Sequence, residues 1–179
     1  MKTNQARSQV DHGGQVQQLV EGIADEACIG LFEAYGVALE RVPPLSAPDH
    51  DVLYSGVIGF SGPRMRGMCV LAATETPIRR SNPIEGPLND WVAELSNQLA
   101  GRMKNKLLSY GADVYLTTPV VLRGEHLAPI PNRQQLPLAY ALPGGGVFLW
   151  IEFDLDDGMS LSPGSGTAAA SEGDALLFF

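Results

Sequence analysis

The chain has 179 residues, with 20 acidic against 12 basic side chains, 45% hydrophobic content and 2 cysteines. That length suits one domain whose core needs no covalent staples, and the hydrophobic share is too high for a disordered chain. A formal net charge of −8 argues against nucleic acid or anionic lipid as the main partner, because little positive field is present to release counterions.

The longest apolar runs, such as residues 147–151, fall far short of a membrane span. Residues 1–15 are polar and lack the apolar core of a signal peptide, so a cytoplasmic location is expected. Cys28 and Cys69 stand singly in apolar surroundings and read as reduced packing residues.

Three segments are expected along the chain: a loose tail over residues 1–14, a domain over 15–158, and a Ser/Gly/Ala-rich tail with an apolar end over 159–179. Within the domain, Val16, Val20, Ile23, Ala27, Leu31 and Ala34 recur every three or four residues. That is one stripe of a long helix, stopped near Gly36. A short strand over 37–42 precedes Pro43 and Pro44, and residues 46–51 form a loop. Residues 52–60 and 67–73 read as a hairpin around Ser61-Gly62-Pro63-Arg64. A connector over 77–87 has room for a single helical turn.

Residues 89–110 carry the strongest helix signal. Asn89 or Asp90 offers a cap, Asp90 and Glu94 lie early, Arg102, Lys104 and Lys106 lie late, and Gly111 is a natural stop. Residues 113–124 then read as one strand containing Pro119, followed by a polar loop over 125–135. A second hairpin joins 136–142 to 147–155 through Pro143-Gly144-Gly145-Gly146. Two long helices and two hairpins in this order predict an α+β domain with an antiparallel sheet.

On a wheel of 100° per residue, Val92, Leu95, Ser96, Leu99, Met103, Lys106, Leu107 and Tyr110 share one side of the strong helix. Asp90, Glu94, Asn97, Gly101 and Leu108 take the other. The second side is unfavourable for a helix: an interior Asn loses about 0.7 kcal/mol and a Gly about 1 kcal/mol relative to Ala. Exposed Glu and Asn are ordinary on a solvated helix face. Gly101, one turn beyond Asn97, would however leave bare backbone where another surface could approach.

The stretch Asp90-Trp-Val-Ala-Glu94-Leu-Ser-Asn97-Gln-Leu-Ala-Gly101-Arg-Met-Lys104 resembles the signature helix of the CheC/CheX/FliY chemotaxis phosphatases. In that pattern Asp or Ser is followed by Glu, then Asn three residues on, then a Pro a little over twenty residues later, which Pro119 supplies. The hairpin Ser55-Gly56-Val57-Ile58-Gly59-Phe60-Ser61-Gly62 and the stretch from Thr118 to His126 are similar to the segments flanking that helix. One copy of the motif is present, as in CheX. The resemblance implies a CheC-like fold, a homodimer, and action on the phosphorylated CheY-like receiver domain of a response regulator.

It also implies the roles. The receiver brings its own Mg²⁺ and lysine, so the chain itself is expected to hold no metal or other cofactor. Asn97 would orient the attacking water, since a carboxamide offers one acceptor and two donors. Glu94 would pair with the receiver's lysine, while Asp90, Gly101 and Lys104 would meet the partner or, for Asp90, cap the helix. A non-catalytic adaptor that binds a regulator or flagellar switch component is the alternative, although it would have no chemical need for Asn97. A dimerisation module is a third reading, and it requires Glu94 and Asn97 to be buried between subunits.

The remaining features carry less. His12, His50 and His126 lack metal-ligand spacing, and the Asp154, Asp156, Asp157 cluster fails the alternation of a calcium loop. Arg64, Arg66, Arg79 and Arg80 read as solvated basic islands, and Trp91 and Trp150 as packing residues.

Overall fold

The computed structural model describes residues 2–43, 52–125, 136–156 and 161–164, with the side chains of 2–13 left aside. Helix α1 spans Lys2–Ala34, α2 Glu75–Ser81 and α3 Leu88–Ser109. The strands are β1 Glu40–Val42, β2 Val52–Ser61, β3 Met65–Ala73, β4 Tyr115–Leu116, β5 Val120–Glu125, β6 Leu138–Leu142 and β7 Gly145–Leu155. They form one antiparallel sheet in the order β1-β6-β7-β3-β2-β4, with β5 also paired to β2. The expected α+β architecture is therefore present, with two long helices and the short α2 in addition.

The apolar run at residues 147–151 explains the layering. Val147, Leu149 and Ile151 join α1 and α3 in the main core, while Phe148 and Trp150 point to the other face with Leu53, Val70, Ala72 and Ala139. Both faces of β7 are buried, and a strand buried on both faces reads as a continuous apolar stretch.

Both long helices stop where the sequence predicts. Gly36 at φ 73° and Gly111 at φ 85° follow the last turns of α1 and α3. Val37 N–H reaches back to the Phe32 carbonyl, and Ala112 N–H to that of Leu107, each at 3.0 Å. That left-handed glycine with a six-to-one bond closes the helix and is unfavourable for any residue bearing a Cβ. Within α1, Asp25 pairs with Arg41 of β1 at 2.9 Å and accepts from the Tyr140 hydroxyl of β6 at 2.8 Å, tying the sheet edge to the helix.

Four expectations are corrected. Residues 2–14, read as a loose tail, lie within α1; the segment has no proline, and the penalty of Gly13-Gly14 does not halt the helix. Asn89 and Asp90 do not cap α3, because the N-cap position is Pro87, whose carbonyl accepts from Asp90 N–H at 3.2 Å. The connector holds a full helix earlier than expected, α2, braced by the Glu75–Arg79 pair. The strand over 113–124 is two strands, β4 and β5. Between them Thr117, Thr118 and Pro119 stand opposite Ile58 and Gly59, a one-residue bulge where proline has no N–H to give the ladder. Thr117 Oγ1 instead accepts Gly59 N–H at 3.0 Å. The loops over 46–51 and 126–135, His50, His126, Asp157 and most of 159–179 lie outside the described residues.

Candidate functional site

The site is one face of α3, and the opposite face is what fixes it. Val92, Leu95, Ser96, Leu99, Met103 and Leu107 are buried. Ser96 is the polar member of that stripe. Its hydroxyl donates to the Val92 carbonyl one turn back at 2.8 Å, so the buried oxygen of Ser96 is not stranded. Ser96 also lies directly over Gly56 of β2, where a Cβ would sit 1.9 Å from Oγ and 2.9 Å from the serine Cβ. Only glycine lets the helix seat so closely on the strand. Lys106, placed on the packed side by the wheel, is instead exposed and pairs with Glu26 of α1 at 3.3 Å; a long side chain reaches out from a core-facing position.

Asp90, Glu94 and Asn97 are exposed, and Gly101 and Lys104 are half-buried. At 100° per residue they form a single stripe about 80° wide and about 21 Å long, with Asn97 at its centre. The structure thus brings together all five residues that the sequence singles out. Beside Asn97, a Cβ on Gly101 would meet nothing within 4 Å, so the space over the helix backbone is open. Lys104 has a contact of its own, its Nζ lying 5.5 Å from the centre of the Tyr115 ring on β4. Tyr115 itself is 68% exposed and extends the site beyond the helix.

Sequence reasoning missed the supports of Glu94. Gln98 donates from Nε2 to Glu94 Oε1 at 2.6 Å, and Gln98 Oε1 accepts from the Tyr35 hydroxyl at 2.9 Å. The Tyr35 ring meets Trp91 edge to face at 4.9 Å, and Trp91 Nε1 donates to Ser81 Oγ of α2 at 3.0 Å. The i,i+4 spacing of Glu94 and Gln98 was a visible signal. The contribution of Tyr35, more than sixty positions away, was not.

The buried titratable groups lie elsewhere. Burial pushes the Cys69 thiol up to about 12 and drives those of Cys28 and the Tyr140 phenol upward as well. Neither cysteine is in a disulfide, and thiols held protonated in an apolar core are packing groups. No helix among the described residues is long and apolar enough to cross a membrane.

With this geometry in hand, the comparisons with known proteins are informative. A family model described as "Chemotaxis phosphatase CheX" matches residues 54–137, the span holding the β2–β3 hairpin, α3 and the proline bulge. Comparison with curated proteins finds no match. Among solved structures, a chemotaxis protein CheX from Vibrio vulnificus aligns with TM-score 0.65 and 21% identity, covering 75% of this chain and 96% of that one. A CheC-like superfamily protein from Shewanella sp. PV-4 aligns with TM-score 0.64 and 22% identity, over 75% and 97%. The CheX of a CheX–CheY–BeF₃–Mg²⁺ complex from Borrelia burgdorferi aligns with TM-score 0.53 and 16% identity, over 73% and 96%. These solved structures share the fold; the family model adds likeness in sequence across the region that carries the site.

Proposed function

We propose that this chain, CheX-like in sequence and in fold, hydrolyses the phospho-aspartate of a CheY-like receiver domain. The observation that carries the reading is Asn97, exposed at the middle of the stripe with open space at Gly101 beside it. The relative solved in complex with CheY, BeF₃ and Mg²⁺ supports the choice of partner.

In this reading α3 lies across the receiver's active site. Asn97 accepts one hydrogen from a water and donates from its amide toward the phosphoryl oxygens, holding the water in line. The water oxygen bonds to phosphorus, the phosphorus–oxygen bond to the aspartyl carboxylate breaks, and inorganic phosphate leaves with the water's protons. Phosphoryl transfer of this type depends on positioning and charge stabilisation. A strong base is not required. Glu94 instead pairs with the receiver's lysine, and the receiver's Mg²⁺ steadies the phosphoryl charge. Asp90, Gly101 and Lys104 form the rest of the contact surface, with Lys104 backed by Tyr115. The protein is read as a cytoplasmic homodimer, the arrangement implied by its resemblance to CheX; a monomer mass in sedimentation would contradict that part.

The test is phosphate release from a panel of phosphorylated receivers with and without the purified protein. The reading expects the phosphorylated lifetime of at least one receiver to shorten in proportion to added protein. Binding without any shortening would contradict it and favour an adaptor. Within the active pair, Glu94→Ala is expected to weaken binding.

A further inference from the structure

We infer that Gln98 is a positioning residue, which presents the Glu94 carboxylate to the receiver in one orientation. This rests on the reading of Glu94 as the docking carboxylate. A glutamate on an exposed helix face is otherwise free to sample many rotamers, and fixing it at the moment of binding costs entropy. Here the fixing is done in advance, by a chain of hydrogen bonds and one ring contact that leads from the exposed carboxylate to buried side chains.

The chain begins at an exposed carboxylate. Gln98 Nε2 donates to Glu94 Oε1 at 2.6 Å, and the other end of the same amide accepts from Tyr35 at 2.9 Å. The direction is determined: a flipped amide would turn its oxygen toward the carboxylate and repel it. Tyr35 is half-buried in the turn just after α1, its ring held edge-on by Trp91, which is 9% exposed. Trp91 Nε1 donates to Ser81 Oγ at 3.0 Å, and Ser81, 1% exposed, donates to the Ile78 carbonyl at 3.1 Å. Gln98 alone touches the carboxylate oxygen, backed in turn by the segment after α1 and by α2, and the second oxygen is left for a partner's ammonium.

An ordinary i,i+4 surface pair would also place Gln98 beside Glu94. What separates the two cases is Tyr35. A surface pair is indifferent to a hydroxyl from another segment of the chain, whereas a positioning relay weakens without it.

The experiment measures binding to a CheY-like receiver activated with beryllofluoride and Mg²⁺, together with turnover on the phosphorylated form. Gln98→Leu removes the amide, and Tyr35→Phe removes only the hydroxyl while keeping the ring against Trp91. We expect Gln98→Leu to weaken binding roughly fivefold and Tyr35→Phe about twofold. Both should raise KM while leaving kcat close to wild type, because Asn97 is untouched. In a Glu94→Ala background neither change should weaken binding further.

In the free protein, the Gln98 side-chain amide should be ordered by ¹⁵N relaxation and should loosen in Tyr35→Phe. Undiminished binding by Gln98→Leu, or effects that simply add to that of Glu94→Ala, would overturn the inference, as would an amide that tumbles freely in the wild type. If Glu94→Ala itself binds like wild type, the docking role of Glu94 fails first, and that result is read separately from the others.

Discussion

Gly56 on β2 and Gly101 on α3 each leave bare backbone at the surface of the same helix, on different sides of it. At Gly56 the chain fills the space itself, since an added Cβ would lie 1.9 Å from Ser96 Oγ. At Gly101 an added Cβ would meet nothing within 4 Å. One glycine is explained entirely by the fold. The other lowers helix stability with no internal contact in return, and under the proposed function the open space beside it receives the partner.

Gly56→Ala should destabilise the protein by about 2 kcal/mol, because a well-packed contact must open to admit the methyl group. Thermal or denaturant unfolding measures it. Ser96→Ala added to Gly56→Ala should recover part of the loss by removing the nearer clash. A neutral Gly56→Ala would mean that α3 is not seated as described.

Alkaline pH tests the buried side by another route. The unfolded chain releases the Cys69 proton near its ordinary 9.0, whereas burial in the fold holds it up to about 12. Native stability from this group is therefore complete below pH 9 and declines as pH rises through that window. The loss should reach about 1.4 kcal/mol by pH 10, read as a falling Tm. Cys28 and Tyr140 shift in the same direction and steepen the decline. Cys69→Ala should flatten it, and an unchanged slope would contradict the burial account.

Gly101→Ala should have the opposite sign, stabilising the protein by about 0.5–1 kcal/mol through helix propensity alone. Receiver binding and turnover should nevertheless fall, since a methyl group now stands beside Asn97. A gain in stability with no loss of function would make Gly101 a tolerated imperfection and remove the contrast with Gly56.

Much of this arrangement was legible in the sequence because it depends on local period. The shared face of Asp90, Glu94, Asn97 and Gly101 follows from helical geometry, Lys104 entered only through the resemblance, and Gly36 and Gly111 mark helix ends by conformation. The two hairpins were also visible, though the second apolar face of β7 was not, because a doubly buried strand shows only a continuous apolar run. What sequence reasoning missed was tertiary. Lys106 reaches out of the packed side to Glu26, and Pro119 breaks a strand only because β2 runs opposite. Tyr35 supports Glu94 through Gln98 because α1 ends beside α3. No periodicity in the chain foretells such meetings.

The central claim is that Asn97 acts on a partner's phosphoryl group from an exposed helix face. The most direct measurement is turnover at saturating phosphorylated receiver, comparing wild type with Asn97→Ala while binding to the beryllofluoride-activated receiver is followed in parallel. The account predicts a fall in kcat of about a hundredfold with binding largely retained. Equal kcat for the two proteins would contradict it.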